Sequence, residues 1–354
     1  MVRISRRAFG QALGGLAAAA IATVSHSVVV LAAGAPIQIG VSIPTLDNPF
    51  WVRAVDFANH VAKELNLELV VVGAENREEK QLADVQSLLA RGVKALVVTP
   101  QSTASAPGLI KLANRAHVPI VIVDRYPGFP ADNPNALYVA FIGPNDVTAG
   151  SDIAKSLIGN GATQLVGLGG LPGSSVAEGR EKGLREAVAG APNVKLVQYV
   201  GAGESEDNGY SAMQNILAAH PKGTINGVWC YNDALCLGAF RAVRQAGREN
   251  EIKLAGMDLV PQALDLIEKK TNYIFSTGGH WLQVGFGVMI AYDKINGHNP
   301  IKTDIRLNLI GVNGANFDAF KKQFIDSPPP YDVKQYTLTD NPAATAQTFP
   351  LRTK

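Results

Sequence analysis

The chain has 354 residues, with 32 lysines and arginines against 30 aspartates and glutamates, and only two cysteines. A balance this close to neutral, with no basic block or aromatic–basic ladder, argues against nucleic acid and against a charged membrane surface as partners. Two cysteines are too few to organise a fold through disulfides.

In chain order, Ser5-Arg6-Arg7-Ala8-Phe9 comes first, then an apolar, Ala- and Gly-rich run from Leu13 to Leu31 and small residues over Ala32–Ala35. This order reads as an export signal over residues 1–35, and the paired arginines favour the twin-arginine route. Ser25, His26 and Ser27 interrupt the run, which leaves it short of the ~20 residues of a membrane span. The expected location is therefore the periplasm, with a soluble mature chain. Cleavage removes Arg3, Arg6 and Arg7 and no acid, leaving 29 basic against 30 acidic side chains. The roughly 320 residues that follow exceed what one core organises, so two lobes are expected.

Short β-branched runs then alternate with helical patterns, the signature of parallel sheets with right-handed crossovers. Strands are predicted at Ile37–Ile43, Leu67–Val72, Ala95–Thr99, Ile120–Asp124 and Tyr138–Ile142, with helices at Phe50–Leu65, Lys80–Ala90 and Ala106–Ala116. A second series has strands at Leu165–Leu168, Lys195–Val200, Gly227–Cys230, Lys253–Met257 and Asn272–Ser276. Its helices fall at Val147–Leu157, Ala177–Ala189, Gly209–Ala219, Ala234–Ala246 and Gln262–Lys269. A helix over Trp281–Ile295, a strand near Arg306–Ile310 and a Pro-rich tail from Ser327 complete the chain. The fold class is α/β, with two similar lobes that each hold a parallel sheet covered by helices. The expected division is 36–142 plus 279–306 for the N-terminal lobe, 143–278 plus 307–326 for the C-terminal lobe, and 327–354 for the tail. Cys230 and Cys236 read as small buried residues; a bond between them would need Cα atoms within ~7 Å.

Ligands of open α/β sheets sit at the carboxyl ends of strands. Asn48, Phe50 and Trp51 follow the first strand, Asp124-Arg125 closes the fourth, Asn232 follows Trp229-Cys230-Tyr231, and Asp258 follows Met257. A carboxylate beside a guanidinium can clamp adjacent hydroxyls, one accepting and the other donating in a fixed fork. One such pair alone reads as a surface ion pair or helix cap. Several at equivalent strand ends, beside aromatics, point to a binding cleft.

On Asn48-Pro49-Phe50-Trp51, Ile120-Val121-Ile122-Val123-Asp124-Arg125, Asn232-Asp233-Ala234-Leu235-Cys236-Leu237-Gly238-Ala239 and Gly256-Met257-Asp258, the chain resembles the periplasmic sugar-binding proteins of the ribose- and galactose-binding group. These are the solute receptors of ABC importers, type I periplasmic binding proteins with a three-crossing hinge, and the resemblance runs from about Ile37 to Ile310. It implies that Asn48 and Asp124 bond ring hydroxyls, that Arg125 forks onto neighbouring oxygens, and that Phe50 or Trp51 stacks on the sugar. Arg180, Asn232 and Asp258 are implied from the second lobe, although Arg180 alone would read as an exposed helix charge. Three departures stand out: Thr99 before Pro100, Glu204 near where an aromatic would close the second-lobe face, and Gly278-Gly279-His280-Trp281-Leu282-Gln283 in place of a glutamine–proline pattern. His280 is taken as a further contact, while Trp281 is equally well read as helix packing.

The implied function is capture of a small neutral sugar or polyol and delivery to an ABC transporter permease in the inner membrane by a monomeric receptor. The alternative is a receptor that reports to a sensor kinase or chemoreceptor. A nucleotide-cofactor enzyme is more distant, since Gly167-Leu168-Gly169-Gly170-Leu171-Pro172-Gly173 departs from the dinucleotide fingerprint in spacing and has proline in its turn. The histidines lack zinc-type spacing and no Gly-x-Ser-x-Gly elbow occurs, so no cofactor, metal or catalytic residue is expected.

Overall fold

Apolar runs too short for helices form two six-stranded sheets in a computed structural model that describes residues 36–326, 331–344, 349 and 351. The expected export signal over 1–35 lies outside the described residues. The first sheet holds β1 (Ile37–Ile43), β2 (Leu67–Gly73), β3 (Ala95–Val98), β4 (Ile120–Val123), β5 (Phe141–Pro144) and β11 (Asp304–Leu307), in the order β2-β1-β3-β4-β5-β11, all parallel. The second holds β6 (Gln164–Gly169), β7 (Lys195–Gly201), β8 (Gly227–Cys230), β9 (Lys253–Met257), β10 (Tyr273–Gly278) and β12 (Ile310–Asn313). Its order is β7-β6-β8-β9-β10-β12, parallel except that β12 runs against β10.

The helices are α1 (Pro49–Glu64), α2 (Glu78–Ala90), α3 (Ala106–Arg115), α4 (Asp146–Gly159), α5 (Ser175–Ala189), α6 (Glu206–Ala219), α7 (Asp233–Gln245), α8 (Pro261–Glu268), α9 (Gln283–Ile295) and α10 (Phe317–Lys321). They cover both sheet faces, so β3 and β4 are buried throughout and alternate between two cores. Val97, Val121 and Val123 join α1 and α9, while Leu96, Val98, Ile120 and Ile122 join α2 and α3. Each such side chain contributes roughly 1.5–3 kcal/mol on burial. In the second lobe α4 and α5 pack backbone to backbone. A Cβ on Gly150 would lie 2.0 Å from the Arg180 carbonyl, and one on Gly183 2.0 Å from the Val147 carbonyl. That approach sets where Arg180 leaves α5.

The structure moves several boundaries. The strand expected at Tyr138–Ile142 is β5, which begins three residues later, and the Tyr138 amide donates to the Ala131 carbonyl at 3.2 Å instead of joining the sheet. The single strand near Arg306–Ile310 is two strands, β11 and β12, in different sheets. The helix expected from Trp281 opens as a 3-10 turn over His280–Leu282 and becomes α-helical at Gln283, since Gly279 at φ +106 redirects the chain. Cys230 and Cys236 form a disulfide with Cα atoms 5.4 Å apart, correcting their reading as two separate buried residues. No helix among the described residues is long and apolar enough to cross a membrane.

Tail residues 331–344, 349 and 351 return to the first lobe. Tyr331 packs on Phe57 and Phe286, with ring centroids 5.3 and 5.6 Å away, and Phe349 stacks on Phe286 at 4.5 Å. The Asp293 carboxylate on α9 accepts from the amides of Leu338 and Thr339 and from the Thr339 hydroxyl.

Candidate functional site

The carboxyl ends of both sheets meet in one place. Asn48 caps α1, its Oδ1 accepting from the Phe50 amide at 2.9 Å, with Pro49 supplying the fixed φ of the first helical residue. Asn232 does the same for α7, accepting from the Leu235 amide at 2.8 Å. Capping uses the side-chain oxygen and leaves the amide nitrogen for other work: Asn232 Nδ2 donates to the Glu204 carbonyl at 3.1 Å.

Asp124 and Asp258 stand just beyond β4 and β9 with φ of +66 and +126, a region that residues other than glycine rarely adopt. Both lobes thus hold a strained aspartate at a strand tip. Gln283 Nε2 donates to Asp124 Oδ1 at 2.6 Å. Asp233, buried behind Asn232, accepts from the Tyr273 hydroxyl at 2.6 Å and the Val260 amide at 3.0 Å, which ties down the loop that carries Asp258.

All nine residues singled out from the sequence, Asn48, Phe50, Trp51, Asp124, Arg125, Arg180, Asn232, Asp258 and His280, line a single small cavity between the lobes. Glu204 and Tyr231 complete its wall. Phe50 and Trp51 meet edge to face at 4.9 Å, and His280 lies over Phe50 at 4.5 Å. Trp281 does not line the cavity; it packs under the Arg53 guanidinium, 3.5 Å from the ring centre. Arg180, which taken alone reads as an exposed helix charge, is buried. Its Nε donates to Asp146 at 3.0 Å, its Nη1 donates to the Tyr231 carbonyl, and its guanidinium lies 4.5 Å from the Tyr231 ring. Thr99 is buried away from the cavity wall.

Arg125 spans the lobes. Its Nη1 donates to the Gln101 carbonyl at 2.7 Å, while Nη2 meets both Glu204 oxygens at 3.0 Å. Glu204 Oε1 also accepts from the Tyr231 hydroxyl at 3.1 Å. Tyr231 and Gln283 were not identified from the sequence as site residues, whereas Asp233 stands with Asn232 in the strand-end pair that sequence reading picks out. The strand-end position of Tyr231 beside Asn232 was a usable signal, whereas Gln283 lies 159 residues from its partner Asp124 and only the fold joins them.

Three carboxylates (Asp124, Glu204, Asp258) and two guanidiniums (Arg125, Arg180) line the cavity. The residues read from the sequence, Asp124 and Asp258 against Arg125 and Arg180, balance one another, and Glu204 adds one surplus acid. Burial answers part of that surplus. It pushes the Asp258 carboxyl well above the usual range, opposed by Arg180, and raises Asp124 against the pull of Arg125, Arg180 and the Gln283 hydrogen bond. Burial and the neighbouring Arg180 hold His280 far below its ordinary value, so the imidazole is neutral. Behind Arg180, burial pushes Asp146 up to about 7. Burial thus favours the protonated form of these carboxyls, a form that donates as well as accepts.

Comparisons with known proteins agree with this fold. Residues 39–299 match the periplasmic binding protein domain. The chain is similar to the ribose import binding protein of Escherichia coli, 34% identical over 238 residues, covering 66% of this chain and 75% of that protein. Among solved structures it resembles an ABC transporter periplasmic solute-binding protein from Actinobacillus succinogenes with bound D-allose, with a TM-score of 0.74, 26% identity, and coverage of 80% of this chain and 99% of that one. It also resembles a Caulobacter myo-inositol binding protein, with a TM-score of 0.73, 26% identity, and coverage of 82% and 97%. With strand-tip acids, arginines and capping asparagines from two α/β lobes around one cavity, and a family match over most of its length, this chain belongs to the periplasmic binding protein family.

Proposed function

We propose that this chain is a periplasmic receptor that captures a small neutral sugar or polyol between its lobes and delivers it to an ABC importer. The observation that carries the reading is the pairing of Asp124 and Arg125 from one lobe with Arg180, Asn232 and Asp258 from the other around one cavity. Ribose, D-allose and myo-inositol, named for its relatives, are all neutral and rich in hydroxyls. Each hydroxyl donates and accepts, so such a ligand satisfies acids and guanidiniums together. Binding contributions from both lobes favour the closed arrangement, the hinge behaviour generally assigned to periplasmic binding proteins. The curated relatives are import proteins, which favours a permease over a sensor as the partner. The paired Arg6 and Arg7 favour export by the twin-arginine route.

The test is a thermal-shift screen over pentoses, hexoses, deoxy sugars and polyols, followed by calorimetry on Asp124→Ala and Arg180→Ala. Each substitution is expected to weaken binding by about 2 kcal/mol or more, since it leaves desolvated partners unpaired. Binding of an amine, with no neutral sugar bound and Glu204→Gln reversing the preference, would overturn the choice of ligand class.

A further inference from the structure

A second space adjoins the small cavity. It measures about 670 Å³, within the roughly 300–1,000 Å³ typical of small-molecule sites, and both lobes line it. Thr45, Asp47, Pro49 and Asn76 come from the first lobe; Leu171, Pro172, the 201–206 loop, Asn208, Leu237 and Gln262 come from the second. Asn48 and Glu204 line both spaces, so the two adjoin at those residues.

This chamber is not simply where the lobes fail to meet. They touch beside it, where Arg53 Nη1 donates to the Leu259 carbonyl at 3.3 Å, next to the lining residue Val260. One wall, Gly201-Ala202-Gly203, carries no side chain beyond a single methyl group. Gly203 at φ +101 turns that wall back toward Asn208.

The lining chemistry selects what enters. Its charged members are Asp47, Glu204 and Glu206, with no lysine, arginine or histidine. Glu204 is held by Arg125 and Glu206 by Arg241 at 3.2 Å, so no basic group remains to receive an anion. Thr45, Asn76, Ser205, Asn208 and Gln262 offer hydroxyls and amides, while Pro49, Pro172 and Leu237 offer apolar faces. Hydroxyls at the edge and C–H groups on the face are what a sugar ring presents.

We infer that the ligand is a neutral glycoside of two units, whose first ring meets the residues around the small cavity while a second neutral sugar ring lies in the outer chamber. This inference rests on the sugar-receptor reading. Calorimetry with ribose, galactose and glucose is set against their methyl glycosides, the disaccharides lactose and cellobiose, and a disaccharide whose second ring is a uronic acid. At least one neutral disaccharide or glycoside should bind tenfold or more tightly than its parent monosaccharide, and the uronic acid at least tenfold more weakly than its neutral counterpart. Asn208→Trp and Gln262→Trp, exposed positions that line the outer chamber and not the small cavity, should abolish the gain and leave monosaccharide affinity within twofold. Monosaccharides that bind while every disaccharide and glycoside binds more weakly would overturn the inference and leave the receptor reading standing. No binding by either set would overturn both. The comparison of ligands on the unmodified chain decides the matter even where a tryptophan variant fails to fold.

Discussion

Asp258 joins two costs at one residue, a backbone at φ +126 and a buried carboxyl whose pKa stands well above the ordinary range. Strain of this kind costs on the order of 1–3 kcal/mol and persists where the surrounding structure over-determines it. Replacement by glycine removes both costs at the expense of unfolded-chain entropy, roughly 0.5–1 kcal/mol. Asp258→Gly is therefore expected to raise the melting temperature of the unliganded protein by a few degrees, a gain of about 1 kcal/mol, while sugar binding is lost. Calorimetric melting and binding titrations check both halves, and a variant that melts lower would show that the aspartate supports the fold.

Among the elements, the tail shows how a segment without periodic pattern becomes structural. It reads from the sequence as a surface wrap or linker, and its proline-rich start gives no strand or helix signal. In the fold, Phe349 is 5% exposed and stacked on Phe286 of α9, and Val333 is 2% exposed. Phe349→Ala should lower stability by about 3 kcal/mol, read as a reduced melting temperature, because a buried ring leaves a cavity against Phe286. A change of under 0.5 kcal/mol would mean that the tail lies on the lobe without contributing to it.

For the whole molecule, the buried acids predict an unusual response to pH. A carboxyl whose folded pKa lies above its unfolded value, ~4, costs stability above the folded pKa and loses that cost when protonated. Burial, partly offset by Arg180, puts Asp146 at about 7; Asp233 stands at about 6, where burial outweighs its hydrogen bonds from Tyr273 and Val260. Stability of the unliganded protein should thus increase as pH falls from 7.5 to 5.5, and a flat or falling melting temperature over that window would contradict the burial of these groups. The second prediction at this scale concerns closure. The structure joins the lobes through Arg125–Glu204 and Arg53–Leu259, and ligand contacts from both sides add to these. Small-angle scattering should show a smaller radius of gyration when sugar is added, and an unchanged radius at saturation would argue against a shared cleft.

Period and composition determined most of the fold, because strands buried on both faces must be nearly all apolar and their crossover helices must be amphipathic: Ala95–Val98, Ile120–Val123 and the helix after Asn48 are legible on those grounds alone. The strand-tip rule likewise exposed Asn48, Asp124, Arg125, Asn232 and Asp258, since carboxyl ends of parallel strands gather at one edge. What local pattern does not contain is which distant partner a side chain meets. The burial of Arg180 depends on two glycines that let α4 and α5 touch, the hold of Gln283 on Asp124 depends on a chain crossing, and Glu204 enters the cavity because the lobes bring Arg125 to it. Charge balance in the cleft, the Cys230–Cys236 bond and the space beyond Glu204 were therefore settled by tertiary packing, which sets distances between residues that sequence spacing leaves independent.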